Sequence, residues 1–179
     1  MNIGFDLDKI FVDYPPFVPD TVIDKLYKKK AQGTLEYRIP TRPEQLLRRL
    51  THLPVFRPPI QHNLAFLSSL PKSQHKLYLI SSRYHFLESV THDLIKKHHF
   101  DKIFDGMYFN FENKQAHEFK NDVIKKLNLD RYVDDDLPLL SFVAKHNKKT
   151  NFYWLNRIDK KGTIEKNITA IMRLPEMLS

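Results

Sequence analysis

The sequence predicts an α/β fold: a three-layer, Rossmann-like parallel sheet with a small helical cap inserted after the first strand. Three observations carry that reading. Short apolar runs alternate with stretches whose apolar residues recur at helical spacing. Strands alternating with helices require right-handed crossovers and a sheet covered on both faces. The alternation is interrupted once, after the first apolar run, by a proline-rich stretch and two amphipathic patterns. Residues 1–12 and 58–179 are therefore expected to form the core, and residues 13–57 the cap.

In order, Ile3-Gly4-Phe5 reads as a short buried strand that delivers Asp6 and Asp8 at its carboxyl end, with apolar residues resuming at Ile10-Phe11-Val12. The chain must turn there, so the two carboxylates are free to take different directions. Tyr14-Pro15-Pro16-Phe17-Val18-Pro19 is an extended, helix-breaking connector. Val22, Ile23, Leu26 and Tyr27 predict a helix from Asp20, with Lys28-Lys29-Lys30 at its negative end and Gly33 stopping it. A second helix opens at Thr41, where Thr41 and Glu44 make a capping-box pattern ahead of an apolar stripe of Leu46, Leu47 and Leu50.

The remainder alternates. A helix over about Pro59–Leu70 precedes a strand at Leu77–Ile80 that runs into Ser81-Ser82-Arg83. Phe86, Leu87, Val90, Leu94 and Ile95 mark the next helix, and Phe104–Phe109 the next strand. Ala116, Phe119, Val123, Ile124 and Leu127 share one helix face; Arg131-Tyr132-Val133 is a strand ending in Asp134-Asp135-Asp136. Leu139, Leu140, Val143 and Ala144 form a helix stripe, Phe152–Leu155 a strand, and Ile164, Ile168, Ile171 and Met172 a closing helix.

Composition bounds the function. The chain is 41% hydrophobic with 13 Phe and 8 Tyr, enough for an aromatic-rich core. Without cysteine there is neither a disulfide framework nor a thiolate metal site. That suits a reducing, cytoplasmic setting, and the start shows no basic region followed by a long apolar run, so neither a signal peptide nor a membrane role is expected. A formal charge of +8 favours anionic ligands without choosing among them.

Ligands of such sheets bind beyond the carboxyl ends of the strands, where the strand order reverses. Here those ends carry Asp6 and Asp8, Ser81, and Asp134 to Asp136, while Lys120 lies near the first turn of a helix. Carboxylates, a hydroxyl and a lysine converging on one edge would make a metal-assisted phosphate site, and hard Mg²⁺ prefers a few carboxylate oxygens plus water and phosphate. Each residue also has an ordinary structural role open to it. Asp134 to Asp136 would cap the helix near Leu137, Ser81 would N-cap a helix, and Lys120 would be a surface lysine. The basic clusters, Lys96-Lys97, Lys145 to Lys149 and Lys160-Lys161 among them, read as solvated helix ends rather than a nucleic-acid track.

Together the segments resemble the haloacid dehalogenase (HAD) superfamily, whose phosphatases carry four ordered motifs. Ile3-Gly4-Phe5-Asp6-Leu7-Asp8 is similar to the first, Leu77-Tyr78-Leu79-Ile80-Ser81 to the second, Lys120 (with Lys114 the competitor) to the third, and Tyr132-Val133-Asp134-Asp135 to the fourth. Ser81-Ser82-Arg83 stands where nucleotidase-like members carry Thr-Ala-Arg. The resemblance spans Met1 to about Leu155 outside the insertion, which sits where the family places a cap. It implies Asp6 as nucleophile, forming an aspartyl-phosphate, and Asp8 as general acid and base, a role that asks for a raised pKa. It also implies Mg²⁺ held by Asp6, the Asp8 backbone carbonyl and Asp134, with Asp135 behind them, and Ser81, Ser82 and Lys120 on the phosphate. The implied substrate is a small phosphate monoester, with a nucleotide the leading expectation. Tyr14 and Phe17 are candidates to stack on a base or to pack the cap.

One position departs from the pattern. The family usually has glycine after the second aspartate, and here it is Lys9. Lysine fits if its backbone angles are ordinary, and its side chain is expected to point outward or towards the distal part of the substrate, since an inward ammonium would compete with Mg²⁺. Two alternatives stay open: a phosphatase of nucleic-acid ends, and a non-catalytic phosphate- or nucleic-acid-binding protein on the same fold.

Overall fold

The computed structural model describes residues 1–15, 28–31, 34–71, 73–156 and 164–178. Strand β1 (Asn2–Phe5) is followed by an antiparallel pair, β2 (Lys28–Ala31) and β3 (Thr34–Tyr37), and by helices α1 (Arg42–Thr51) and α2 (Gln61–Ser69). Strands and helices then alternate: β4 (Lys76–Ser81), α3 (Glu88–Lys97), β5 (Gly106–Phe109), α4 (Ala116–Leu127), β6 (Arg131–Asp134), α5 (Leu137–His146) and β7 (Asn151–Leu155), closed by β8 (Ile168–Ile171).

Six strands form one parallel sheet in the order β5-β4-β1-β6-β7-β8. From β1 the chain moves to β4 and out to β5, then returns to β6 on the other flank of β1. The order therefore reverses at β1, and the carboxyl ends of β4, β1 and β6 adjoin, which is where such sheets bind ligands. Phe5 pairs with Leu79 on one side and Val133 on the other, and the Asp6 amide donates to the Val133 carbonyl at 2.9 Å, carrying the ladder one residue past the strand.

Each face of the sheet has its own core. Phe5, Phe11, Leu67, Leu94, Phe100 and Phe104 fill one, under α2 and α3; Val123, Ile124, Leu140, Val143, Phe152 and Trp154 fill the other, under α4 and α5. The aromatic content concentrates beneath β1, where the Phe5 and Phe11 rings lie 5.5 Å apart and Phe11 and Phe104 5.7 Å apart. Gly4 sits where a Cβ would come within 2.5 Å of Leu129 and 2.9 Å of Tyr132. Gly4→Val is accordingly expected to destabilise the protein by about 1–3 kcal/mol through overpacking, read as a lower denaturant midpoint with an unchanged slope.

Two predicted elements are corrected. The closing helix is strand β8: Ile168 and Ile171 are buried, while Ile164 and Met172 are exposed. Residues three apart on a strand point to opposite faces, and Ile168 enters one core while Ile171 enters the other. That spacing imitates a helical stripe. In the insertion, Lys28–Lys30 do not end a helix but lie in β2, paired with β3. The helix expected from Asp20 to Tyr27, together with Phe17, Gly33 and Lys160-Lys161, falls outside the described residues.

Helix α1 forms where expected, and Glu44 Oε2 accepts from the Thr41 amide (2.7 Å) and hydroxyl (2.8 Å). Its leucine stripe, however, is not core: Leu46, Leu47 and Leu50 are 62%, 55% and 52% exposed, while Arg48 is 4% exposed. The Asp13 amide donates to the Pro58 carbonyl and the Ile60 amide to the Phe11 carbonyl, each at 2.8 Å. Among the described residues no helix is long and apolar enough to cross a membrane.

Candidate active site

The turn after β1 separates its two carboxylates. Asp6 stays in line with the sheet and is buried. Beyond it the Lys9 amide donates to the Val12 carbonyl (2.8 Å) and the Phe11 amide to the Leu7 carbonyl (3.0 Å), folding the chain back and sending Asp8 another way. Lys9 holds this turn with a φ of 63°, the left-handed region that favours glycine. Its backbone angles are therefore not ordinary, and adopting them costs a lysine roughly 1–2 kcal/mol. The side chain points outward as expected: Nζ donates to Asp13 Oδ1 at 2.7 Å and lies 4.3 Å from the Tyr14 ring centre.

Asp6 faces α4 and β6. Lys120, on the first turns of α4, is almost wholly buried, and its Nζ donates to Asp6 Oδ1 at 2.8 Å and to Asp134 Oδ2 at 2.6 Å. Tyr132 adds a hydroxyl to the same Asp134 oxygen at 2.9 Å, and the Asp136 amide donates to Asp134 Oδ1 at 3.0 Å. Carboxylate oxygens of Asp6, Asp134 and Asp135 lie within 4.8 Å of one another. Burial is the largest influence on the Asp6 carboxyl; Lys120 opposes it, Asp134 and Asp8 reinforce it, and the result is a pKa pushed up to about 7. Asp135 is raised as well, by loss of hydration and by the neighbouring Asp134 and Asp6 carboxylates. Burial alone would lower Lys120, but Asp134 and Asp6 hold it well above its ordinary value.

Even with one lysine inserted, the cluster carries more negative charge than it can comfortably ionise. Three hard carboxylate oxygens this close fit Mg²⁺, and the raised pKa values mark a demand for further positive charge. The residues therefore fit the metal.

Asp8 occupies a different environment. Arg83 grips it through two hydrogen bonds, Nε to Oδ2 at 2.9 Å and Nη2 to Oδ1 at 2.7 Å, and Arg57 donates to Oδ1. Burial would raise this carboxyl, but Arg83 and Arg57 overcome it and hold it far below the usual carboxylate range. A general acid needs the opposite shift, so the surroundings required of Asp8 by sequence reasoning are not those of this state. Arg57 also lies over the Tyr14 ring, 4.8 Å from its centre. Tyr14 thus braces two cations, Lys9 and Arg57.

The other expected residues are placed as follows. Ser81 ends β4 rather than capping a helix, since α3 begins only at Glu88. Ser81 and Ser82 both line the cavity over Asp6, and the buried Ser82 hydroxyl meets no hydrogen-bond partner among the described residues. Lys114 pairs with Glu112 and Asp122, each at 3.6 Å, and lines a separate groove, so Lys120 is the lysine at the acidic cluster. Asp136 does cap α5, accepting from the Leu139 amide at 3.4 Å, and its other oxygen accepts from the Tyr37 hydroxyl at 2.9 Å.

No family model matches the chain, and no curated protein matches its sequence. Solved structures do. A putative β-phosphoglucomutase from Thermotoga maritima superposes with a TM-score of 0.58 at 15% identity, over 94% of this chain and 92% of that one. D,D-heptose 1,7-bisphosphate phosphatase from B. bronchiseptica, complexed with magnesium and phosphate, superposes with a TM-score of 0.56 at 10% identity, over 99% and 98%. Both are haloacid dehalogenase superfamily proteins. This chain has the haloacid dehalogenase fold.

On that fold the residues that sequence reasoning missed are the cationic ones around Asp8. Arg83 is visible in Ser81-Ser82-Arg83, but the pattern gives it no role of its own. Arg57 stands in no pattern, and its signal is only its position beside Pro58, whose carbonyl accepts from the Asp13 amide. Buried His52 and Arg48 also line the cavity, as does Tyr37, whose amide donates to Gln115 Oε1 at 2.9 Å. Tyr37, Arg48 and His52 belong to the stretch between β1 and β4, where no spacing pattern singles them out.

Proposed function

We propose that the chain is a Mg²⁺-dependent phosphohydrolase that cleaves small phosphate monoesters through an aspartyl-phosphate on Asp6. A nucleoside monophosphate is the first substrate to test, on the strength of the nucleotidase-like Ser81-Ser82-Arg83. The carrying observation is the Asp6–Lys120–Asp134 cluster at the strand-order reversal of a haloacid dehalogenase fold, with Asp135 beside it.

In this reading Asp6, Asp134, Asp135 and the Asp8 backbone carbonyl hold Mg²⁺. Bound there, the ion offsets the repulsion between an anionic nucleophile and an anionic ester and stabilises developing charge. Asp6 attacks phosphorus, the bond from phosphorus to the ester oxygen breaks, and the leaving oxygen takes a proton. Water then attacks the same phosphorus, the bond to Asp6 breaks, and inorganic phosphate departs with the carboxylate restored. Lys120 and the hydroxyls of Ser81 and Ser82 hold the phosphoryl oxygens; the unpartnered Ser82 hydroxyl supports its part in this. Asp8 supplies and recovers the proton once substrate draws Arg57 or Arg83 away from it. Residues 13–57 act as the cap, a role supported by Tyr37, Arg48 and His52 lining the cavity.

A phosphate-release screen over nucleotides, sugar phosphates and phosphorylated oligonucleotides, with Mg²⁺ and with a chelator, tests the reading. Release is expected from small esters, with loss on chelation and recovery on adding Mg²⁺. Release from oligonucleotides alone would instead select the nucleic-acid-end alternative, and no Mg²⁺-dependent release from any class would overturn the assignment.

A further inference from the structure

Asp134 is held through both of its oxygens. Oδ2 accepts from Lys120 Nζ at 2.6 Å and from the Tyr132 hydroxyl at 2.9 Å, and Oδ1 accepts from the Asp136 amide at 3.0 Å. A carboxylate offers about four lone-pair positions, shared equally between its oxygens. Among the described residues, donors therefore take both positions on Oδ2 and one on Oδ1. The position left for a cation is on Oδ1. Asp134 thus enters the acidic cluster as a ligand with a single oxygen to give.

Lys120 and Tyr132 do not hold Oδ2 in the same way. The ammonium divides its donors between Asp134 and Asp6, and in the phosphohydrolase reading it turns to the phosphoryl oxygens as well. The tyrosine has one proton to donate. Lys120 can accept none, so that proton goes to Asp134. Residues two apart on a strand share a face, which puts the hydroxyl beside the carboxylate with no loop between them. The ring itself is fixed. Tyr132 is wholly buried in β6 and meets Phe152 edge-on, with 6.2 Å between ring centres. A Cβ on Gly4 would come within 2.9 Å of the Tyr132 ring, so the glycine of β1 leaves the space that the ring occupies. Phenylalanine would fill that space equally well. The hydroxyl is the part that packing does not use.

We propose that Tyr132 is a positioning residue that keeps Asp134 a one-oxygen ligand and so biases the metal site towards Mg²⁺ and against Ca²⁺. Mg²⁺ demands near-ideal octahedral geometry and keeps much of its water, whereas Ca²⁺ takes about six to eight oxygens and accepts both oxygens of one carboxylate. An Asp134 whose second oxygen is occupied gives Ca²⁺ no chelate. The inference rests on the phosphohydrolase reading for the presence of a metal, and adds how the chain selects the ion.

Calorimetric titration of the metal-free full chain with Mg²⁺ and, separately, with Ca²⁺ tests it without turnover. Tyr132→Phe keeps the ring and removes the hydroxyl. The ratio of Ca²⁺ affinity to Mg²⁺ affinity is expected to rise by about 10-fold, the lower end of what a hydrogen-bond partner behind a metal ligand is worth. Tyr153→Phe, a change to a buried tyrosine of β7 in the opposite core, should leave the ratio as in the wild type. A ratio that does not rise in Tyr132→Phe, whether both affinities fall equally or neither changes, overturns the inference and makes the tyrosine structural. Should that variant fail to fold by circular dichroism, a crystal structure of the wild type with Ca²⁺ decides. One Asp134 oxygen on the ion supports the inference, and two overturn it. A wild type that binds neither ion overturns it as well, together with the metal in the phosphohydrolase reading. A risen ratio in a chain that hydrolyses no ester leaves the inference standing and removes the phosphohydrolase reading alone.

Discussion

Asp6→Asn is expected to lower phosphatase turnover by about 10⁴-fold or more, the scale on which removing a nucleophile acts, and to leave the metal-free protein at least as stable as the wild type. The two effects share one cause. Asp6 is buried beside Asp134 and Asp135, and its raised pKa means that the folded state resists ionising it. The unfolded chain loses this proton near pH 4, the folded chain near 7. Between those values the folded state binds more protons, so stability falls as pH rises. The asparagine lacks that titration. Without metal, the wild-type melting temperature should therefore drop relative to the variant from pH 4 to 7, by the equivalent of on the order of 2–4 kcal/mol. Retained turnover in Asp6→Asn would sink the covalent mechanism. Parallel melting curves across that pH range would show that the site does not strain its own nucleophile.

What the sequence disclosed follows from how local each signal is. The strands that carry the site were legible because an apolar run stopping abruptly at an acid or hydroxyl marks the point where a buried strand leaves the core. Asp6, Ser81 and Asp134 do end or follow β1, β4 and β6. The capping box of α1 was legible because it too is local, since Thr41 and Glu44 meet within one turn. The direction in which α1 faces was not. Leucine spacing defines a stripe without saying whether the fold has anything to put against it, and here the buried Arg48 decides the orientation. β8 was hidden by coincidence, one isoleucine per core at a spacing of three. Spacing favoured Lys120 with Lys114 as the competitor; both precede the acidic run, and in three dimensions only Lys120 reaches it. Hardest of all was Arg57, separated from Asp8 by 49 residues and stabilised by a contact no pattern encodes.

That contact makes Asp8→Asn the substitution with the largest combined effect. Arg57 and Arg83 are 1% and 4% exposed, and both spend their charge on the Asp8 carboxylate. Removing it leaves two buried cations without that partner, and breaking a buried pair in this way costs about 3–5 kcal/mol. Adding Arg57→Met to Asp8→Asn should return part of the loss, because one uncompensated cation goes with it; the double variant is expected to melt higher than the single one. Because the folded Asp8 pKa is depressed, its stabilising contribution is fully present above pH 4 and is lost only in strong acid as pH falls through the folded value, so the clamp does not titrate under physiological conditions. The effect on catalysis separates two roles for Asp8. As the proton donor it should matter most for a poor leaving group, with a loss of roughly 10²- to 10⁴-fold on an alkyl phosphate. A nitrophenyl phosphate, whose leaving oxygen needs no proton, should lose far less. Equal losses on both esters, measured well below the variant's melting temperature, would make Asp8 an anchor for the two arginines rather than an acid.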